Sequence, residues 1–252
     1  ISGRVTAFGG RILKTDKKFA KYLNSPESDI YHKSSILYGI FHAKKSITQE
    51  NKCFLVEGYT DVISLHQAGI ENVVASSGTS LTVDQIRLIK RFTPNVTILY
   101  DGDAAGIKAS IRGIDLVLEE GLNVKVALLP DGEDPDSYAR SHSASEVLDF
   151  IAKNETDFIT FKTRLLVDDA KNDPIKRANL ISDIVRSIAV IPDSIVRSVY
   201  IKDCSRLLDI QENVLYTEVA SQRRKKMEQV LGKIPVESEL KTTPPVPNFV
   251  SD

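Results

Sequence analysis

Apolar and polar positions switch between two periods from residue 52 to residue 140, and each switch predicts a new element of secondary structure. Continuous apolar runs of strand composition alternate with segments in which apolar residues recur at helical spacing, as at Val62, Leu65 and Ala68. A strand that is apolar throughout is buried on both faces, so the pattern predicts an α/β domain with a mostly parallel sheet flanked by helices. The predicted strands are 53–56, 73–75, 96–100 and 124–129.

Three further regions accompany this domain in the sequence. Residues 1–50 combine short apolar runs with loops, and the pair Gly9-Gly10 has the composition of a hairpin turn. The region after the sheet carries apolar stripes at helical spacing, which are typical of a small helical bundle. The end of the chain is rich in proline, as flexible linkers are. We therefore divide the chain into four predicted regions, 1–50, 51–141, 142–232 and 233–252.

Two of the predicted strands end at an acidic residue followed by glycine. Glu57 follows the strand at 53–56, and Asp101 and Asp103 follow the strand at 96–100. Ligand sites of parallel sheets lie beyond the carboxyl ends of the strands, so we expect these three carboxylates to meet at one rim. Crowded carboxylates repel one another, and a divalent cation relieves that repulsion. Hard oxygen ligands with open positions suit Mg²⁺ that carries phosphate substrates.

A second acidic segment, from Pro130 to Asp136, follows the last predicted strand and therefore falls at the same rim. Taken alone, this segment is equally typical of a solvated turn, and Asp103 could simply cap the helix that follows it. The expected position of the segment 130–136 at the same rim as Glu57 and Asp101 favours the functional interpretation.

Charge is distributed unevenly, although the net charge of the chain is only −1. Residues 1–50 contain nine Lys or Arg residues against four Asp or Glu residues. Within them, the segment from Lys21 to Pro26 combines a cation, an aromatic ring and an amide before a turn. Such a segment is either an ordinary surface loop or a surface that contacts phosphates and bases. The later basic run 223–226 is typical of a solvated helix end.

Several classes of protein are disfavoured by what the sequence lacks. It contains neither a P-loop nor a dinucleotide-binding glycine fingerprint. Cys53 and Cys204 are too far apart for a zinc motif or a disulfide framework, which favours a reducing cytoplasm. No signal peptide and no apolar run of membrane-spanning length is present. Because the chain begins at Ile1 and its single methionine is Met227, we expect it to be a fragment.

Taken together, the motifs resemble one known family. Glu57-Gly58-Tyr59-Thr60-Asp61, Asp101-Gly102-Asp103-Ala104-Ala105-Gly106 and Asp134-Pro135-Asp136 are similar to the Toprim domain of bacterial DnaG-type DNA primases. The segments Gly3–Arg11, Lys21–Pro26 and Tyr31–Gly39 are similar to the primase-specific region that precedes that domain. The resemblance runs from about residue 1 to residue 220. It implies a Toprim-type sheet, preceded by the carboxyl-terminal part of an α+β basic subdomain.

The resemblance also implies an activity and assigns roles to residues. The activity is template-directed synthesis of short RNA primers on single-stranded DNA by a DNA-directed RNA polymerase, in the bacterial cytoplasm at replication forks. Catalytic residues that hold Mg²⁺, or Mn²⁺ in vitro, are Glu57, Asp101 and Asp103. Additional metal ligands are Asp134 and Asp136. Nucleotide and template contacts are Arg11, Lys21, Tyr22, Asn24, Lys33 and Asp61.

The implied partners are single-stranded DNA, ribonucleoside triphosphates, the RNA primer and the replicative helicase, the last through a domain beyond this chain. Zinc would belong to an amino-terminal domain that the sequence does not contain. Two other functions remain open at this point. One is a Toprim nuclease that uses Glu57 as a general base to activate water, and the other is a DNA-binding module without catalysis.

Overall fold

The structure is a computed structural model that describes residues 3–11, 22–76, 81–102, 113–170 and 173–231. Within these residues, six strands form one mixed sheet in the order β3-β5-β4-β6-β7-β8. The four central strands run parallel, and the two edge strands run antiparallel to their neighbours. The strands are β3 (Leu37–Tyr38), β4 (Cys53–Val56), β5 (Val73–Ser76), β6 (Asn95–Tyr100), β7 (Asn123–Leu128) and β8 (Thr156–Asp157).

Helices cover both faces of this sheet, which explains why its strands are apolar throughout. Alternate residues of β4 belong to different hydrophobic clusters, with Phe54 and Val56 on one face and Leu55 on the other. This arrangement confirms the predicted α/β fold with a mostly parallel sheet. The helices of this region are α1 (Ile40–Glu50), α2 (Tyr59–Gln67), α3 (Val83–Lys90), α4 (113–119), α5 (Pro135–Ser141) and α6 (Ala144–Asn154).

Four helices follow β8, as the apolar stripes predict. They are α7 (Phe158–Ala170), α8 (Pro174–Val190), α9 (Ser194–Leu208) and α10 (Glu212–Leu231). Their buried residues, among them Ile184, Ile201 and Leu215, belong to the same hydrophobic cluster as Val96 of β6. The bundle therefore shares a core with one face of the sheet. The boundary at residue 141 stays a prediction, and residues 233–252 lie outside the described residues.

The interpretation of residues 223–226 as a solvated helix end was wrong for Arg223, and the run lies within α10. Arg223 donates hydrogen bonds to the carbonyl oxygens of Ala189 and Ile191, at 2.8 and 3.2 Å. Those carbonyls lie at the end of α8, where the last carbonyl groups have no partner within the helix. Arg223 therefore supplies donors that the helix itself lacks. Lys226 forms an ion pair with Glu119 at 2.7 Å. Arg223 thus fastens α10 to the end of α8, whereas the pair of Lys226 and Glu119 lies at the exposed surface.

The amino-terminal region contributes a separate small sheet. In the described residues, β1 (Gly9–Arg11) pairs antiparallel with β2 (Tyr22–Asn24), and Gly9 lies opposite Asn24. The predicted hairpin turn at Gly9-Gly10 was wrong, because both glycines lie within β1. The reason for a glycine at residue 9 is a close packing contact, which involves the functional site.

Cys53 and Cys204 are both buried and free. Burial raises the pKa of each thiol, that of Cys204 to about 11, which fits structural rather than reactive cysteines. Among the described residues, none of the helices has the length and apolar composition that crossing a membrane requires.

Candidate active site at the carboxyl ends of the parallel strands

Two of the predicted acidic residues lie at the ends of neighbouring strands. Glu57 directly follows β4 and Asp101 directly follows β6, and these two strands are paired in parallel. Both residues are exposed. They therefore stand at the same edge of the sheet, where parallel α/β folds bind their ligands.

A close backbone contact brings the acidic turn to Asp101. The amide of Gly102 donates to the carbonyl oxygen of Glu133 at 3.2 Å, and Leu129 donates to the carbonyl oxygen of Tyr100 at 3.1 Å. A side-chain carbon built on Gly102 would lie 2.5 Å from the carbonyl oxygen of Pro130, so only glycine fits there without displacement. The turn that begins at Pro130 thus packs directly against the segment that carries Asp101.

The pKa of Asp61 is raised by burial and by the acidic residues around it. It lies in the first turn of α2, is only 8% exposed, and accepts a hydrogen bond from the amide of Gly58 at 2.8 Å. Burial raises the pKa of Asp61 to about 6, and the charges of Asp134, Asp101 and Asp136 add to the rise against the lowering effect of the Gly58 hydrogen bond. Four carboxylates therefore lie in one region of negative potential, and a bound cation would reduce the repulsion between them.

Asp134 and Asp136 also have structural roles. Asp134 caps α5 by accepting a hydrogen bond from the amide of Ser137 at 2.7 Å. The Oδ1 atom of Asp136 accepts from the hydroxyl of Ser64 and pairs with the Nε atom of Arg140 at 2.8 Å. Such contacts fix both carboxylates at the rim. The capping alternative for Asp103 concerns a residue outside the described residues and stays a prediction.

The described residues hold only part of the predicted metal site. Asp103 lies outside them, and among the residues that are described no group of three or more His, Cys, Asp or Glu side chains is placed to hold a metal ion. The predicted donors that are described, at Glu57, Asp101, Asp134 and Asp136, are all carboxylate oxygens. Together with the potential around Asp61, this donor set fits a hard divalent cation.

Most of the predicted nucleotide and template residues belong to the amino-terminal region of the sequence. Lys21 lies outside the described residues, and the side chains of Arg11 and Tyr22 are not described. Lys33 is half-buried in a short 3₁₀ turn, where its amide donates to Glu27 at 3.0 Å. The carbonyl oxygen of Lys33 accepts a hydrogen bond from the side chain of Gln85 in α3 at 2.9 Å, which places Lys33 beside the sheet domain.

Asn24 makes a direct contact with the sheet domain. Its Oδ1 atom accepts a hydrogen bond from the hydroxyl of Tyr59 at 2.8 Å. The ring of Tyr59 packs against that of Tyr38, with centroids 4.5 Å apart and planes tilted by 32°. Sequence reasoning placed Tyr59 in the Glu57-Gly58-Tyr59 motif but gave it no role. The only available signal was its position two residues after Glu57.

Three family models match the chain. The model described as Toprim-like matches residues 54–139, and the model of the DNA primase catalytic core, N-terminal domain, matches residues 1–44. The model of the DnaB-helicase binding domain of primase matches residues 161–213. That last match lies on α7 to α9 and the start of α10, inside the chain, whereas the sequence analysis expected a helicase contact beyond it.

Curated relatives and solved structures agree with these matches. The DNA primase of Halalkalibacterium halodurans is 39% identical over 86% of this chain and 36% of its own length. That of Clostridium acetobutylicum is 38% identical over 88% of this chain and 37% of its own length. A crystal structure of a DNA primase domain from Pseudomonas aeruginosa superposes with a TM-score of 0.76 at 31% identity, over 88% of this chain and 68% of that one.

The fold and the rim of carboxylates define an α/β protein of the Toprim type. Within that type, the chain belongs to the family of bacterial DnaG-type DNA primases, since the primase-specific model matches residues 1–44 and the solved primase domain is similar to 88% of the chain. The chain spans slightly more than a third of the length of the curated relatives that it matches.

Proposed function

We propose that this chain is part of the catalytic core of a DNA primase, which synthesises short RNA primers on a single-stranded DNA template by metal-dependent nucleotidyl transfer. The observation that carries the proposal is the position of Asp101. It directly follows a central parallel strand at the same edge as Glu57, and both of its neighbours in the chain bond to the segment that carries the acidic turn. The family to which the chain belongs supports the proposal.

In this proposal, Glu57, Asp101 and Asp103 hold Mg²⁺ or Mn²⁺, with Asp134 and Asp136 as additional ligands. The bound metal neutralises the incoming triphosphate and stabilises the charge that develops during in-line displacement. Asp61, buried beneath the rim, sustains the negative potential that attracts the cation. Because the Gly58 amide bonds to Asp61, the carboxylate also fixes the turn between Glu57 and α2.

The amino-terminal region supplies the nucleic-acid surface. Arg11, Lys21 and Lys33 position phosphates, and Tyr22 and Asn24 contact base or sugar. Contacts to the backbone set the register of the strand and carry little sequence information. Support comes from a DnaG primase catalytic domain bound to single-stranded DNA, which superposes with a TM-score of 0.70 at 36% identity, over 81% of this chain and 66% of that one.

Further partners follow from the same proposal. Ribonucleoside triphosphates and the growing RNA primer are the substrate and the product. The replicative helicase is a third partner, and the match of residues 161–213 to a helicase-binding family model favours α7 to α9 as part of its contact. The cellular setting is the bacterial cytoplasm at the replication fork. Of the alternatives, neither the nuclease nor the binding module is favoured by an observation.

A primer-synthesis assay on the full-length protein that contains this chain tests the proposal. We expect labelled ribonucleotides to enter short products on single-stranded DNA in the presence of Mg²⁺. Asp101→Ala should abolish this synthesis without unfolding the protein, because it removes one of several acids that repel one another. Asp149→Ala, at an exposed residue of α6, is the matched control. Synthesis at the wild-type rate by the Asp101 variant would contradict the catalytic assignment, and cleavage of end-labelled DNA would favour the nuclease.

A further inference from the structure

Tyr59 joins the amino-terminal β1–β2 sheet to the rim of the parallel sheet. It opens α2 two residues after Glu57, and its hydroxyl reaches Asn24, a residue 35 positions away in the sequence. We infer that Tyr59 is a positioning residue, which holds the amide of Asn24 in the orientation used to bind nucleotide or template. This inference rests on the role of Asn24 in the proposed function.

The hydrogen bond defines the orientation of the Asn24 side chain in this structure. The phenol donates to Oδ1, so the amide oxygen faces Tyr59 and the two N–H donors of Nδ2 face away from it. An amide that rotated by half a turn would present an acceptor instead of donors. Since a base or sugar is recognised by its pattern of donors and acceptors, the orientation of this amide affects affinity directly.

Tyr59 itself has little freedom to move. The residue is only 9% exposed, and Tyr38 packs against its ring. On another side lies Gly9, where a side-chain carbon would stand 2.6 Å from Cε2 of Tyr59 and 3.1 Å from Oδ1 of Asn24. The glycine therefore gives the ring and the amide the space in which they meet. A group held by packing in this way needs no reorganisation when substrate binds.

The same short segment carries both the rim acid and the positioning ring. Glu57 directly follows β4, Gly58 caps α2 and Tyr59 is the first residue of that helix. The hydrogen bond thus ties β2, which carries Asn24, to the strand end that presents Glu57. It sets the place of the proposed substrate contact relative to the proposed metal site, as the alignment of reacting groups requires.

Removal of the Tyr59 hydroxyl tests this role while the ring stays in place. In the full-length protein we expect Tyr59→Phe to raise KM for ribonucleotides or Kd for single-stranded DNA by about 2- to 10-fold, the change that corresponds to one neutral hydrogen bond. The maximal rate should change less. Tyr38→Phe is the matched control, because it removes the hydroxyl of the neighbouring tyrosine and leaves that ring in place.

A double-mutant cycle separates positioning from a general loss of structure. Asn24→Ala should weaken the same constant, and adding Tyr59→Phe to it should produce no further change, since the hydroxyl acts only through the amide. Melting temperatures of all variants provide the check on folding. Should Tyr59→Phe fail to fold, the same cycle is run with Gly9→Ala.

Gly9→Ala approaches the contact from the other side. Its methyl group would displace the ring of Tyr59 or the amide of Asn24, so we expect the same weakening of binding. Gly10→Ala on the same strand is its control, because a carbon there meets only the carbonyl oxygen of Leu23 at 3.9 Å. Equal effects of the two alanines would overturn the inference.

The outcomes also distinguish this inference from the proposed function beneath it. If Asn24→Ala leaves both KM and Kd unchanged, the substrate role of Asn24 fails, and the role of Tyr59 fails with it. If Asn24→Ala weakens binding while Tyr59→Phe does not, or if the two effects simply add, only the positioning role is overturned. Weakening by both, without addition, is the expected result.

Discussion

The amide of Gly102 lies 3.2 Å from the carbonyl oxygen of Glu133, and this hydrogen bond fastens the acidic turn to the residue that follows Asp101. The contact is possible because Gly102 has no side chain, since a carbon there would meet Pro130 and Asp131 at 2.5 and 2.9 Å. The two acidic segments that the sequence presents separately are thus one structural unit.

Gly102→Ala should separate these segments. Both clashing atoms belong to the backbone, so the turn must move, and overpacking of this kind costs about 1–3 kcal/mol of the free energy of unfolding. We expect a lower midpoint of urea unfolding together with a loss of metal-dependent synthesis. Gly113→Ala is the control, because no atom lies within 4 Å of the added carbon. Unchanged stability and activity in the Gly102 variant would contradict the close contact.

Asp61 should make the metal-free protein less stable as the pH rises. Its folded pKa is raised to about 6 from an ordinary value of 3.8, so the unfolded chain loses its proton first and stability falls between these values. The full effect amounts to at most about 3 kcal/mol. Asp61→Asn retains an acceptor for the Gly58 amide and removes the charge.

We therefore expect Asp61→Asn to be more stable than the parent at about pH 7 and nearly equal to it at about pH 4. Urea unfolding in the presence of a chelator at the two pH values measures this difference. A gain in stability of the same size at both pH values would show that the charge of Asp61 is not the cause.

Glu155 should show the opposite dependence on pH. Burial opposes its ionisation, but hydrogen bonds from Lys125 and Lys52, at 2.7 and 3.0 Å, outweigh that effect and lower its pKa. The hydroxyl of Thr97 also donates to this carboxylate, at 3.1 Å. Because the pKa of Glu155 is lower in the folded protein than in the unfolded chain, its ionised form stabilises the protein at neutral pH. This stabilisation is lost as the pH falls below 4.5, the ordinary pKa of a glutamate side chain.

Glu155→Gln should accordingly destabilise the protein at neutral pH, by about 1–3 kcal/mol, because it removes the charge that two lysines share. The loss should shrink under acidic conditions, where the parent carboxylate is itself protonated. Primer synthesis per folded molecule should remain, since Lys52 directly precedes β4 and Glu57 directly follows it, at opposite ends of the strand. Denaturant titration across the pH range, paired with the synthesis assay, measures both effects.

Lys33 provides the test of the template surface within the described residues. If its ammonium group contacts one phosphate, Lys33→Ala should weaken binding of unrelated single strands about equally and flatten the salt dependence by roughly one unit. Fluorescence anisotropy over a salt series measures both quantities. Lys176→Ala, at an exposed residue of α8, serves as control. Binding identical to the parent at every salt concentration would place the template path elsewhere.

Local sequence determined the elements of the sheet domain and the order in which they occur. Apolar runs such as 53–56 specify strands that are buried on both faces, because each second residue must meet a helix on one side or the other. The acids that follow β4 and β6 then fall at one edge, since parallel strands end on the same side of the sheet. The order of strands and acids along the chain is therefore sufficient to predict that Glu57 and Asp101 share this edge.

Contacts between distant residues were decided only by the tertiary structure. The Gly9-Gly10 pair suggested a turn. In the structure, the missing side chain of Gly9 leaves the space in which Tyr59 contacts Asn24, 35 positions away in the sequence. Arg223 lies in a basic run of the sequence that is typical of a solvated helix end. In the structure it donates a hydrogen bond to the carbonyl oxygen of Ala189, at the end of α8 and 34 positions away. A side chain's nearest neighbours in sequence set its periodicity and its local propensity. Which distant partner it meets depends on how whole elements pack, and no local pattern encodes that choice.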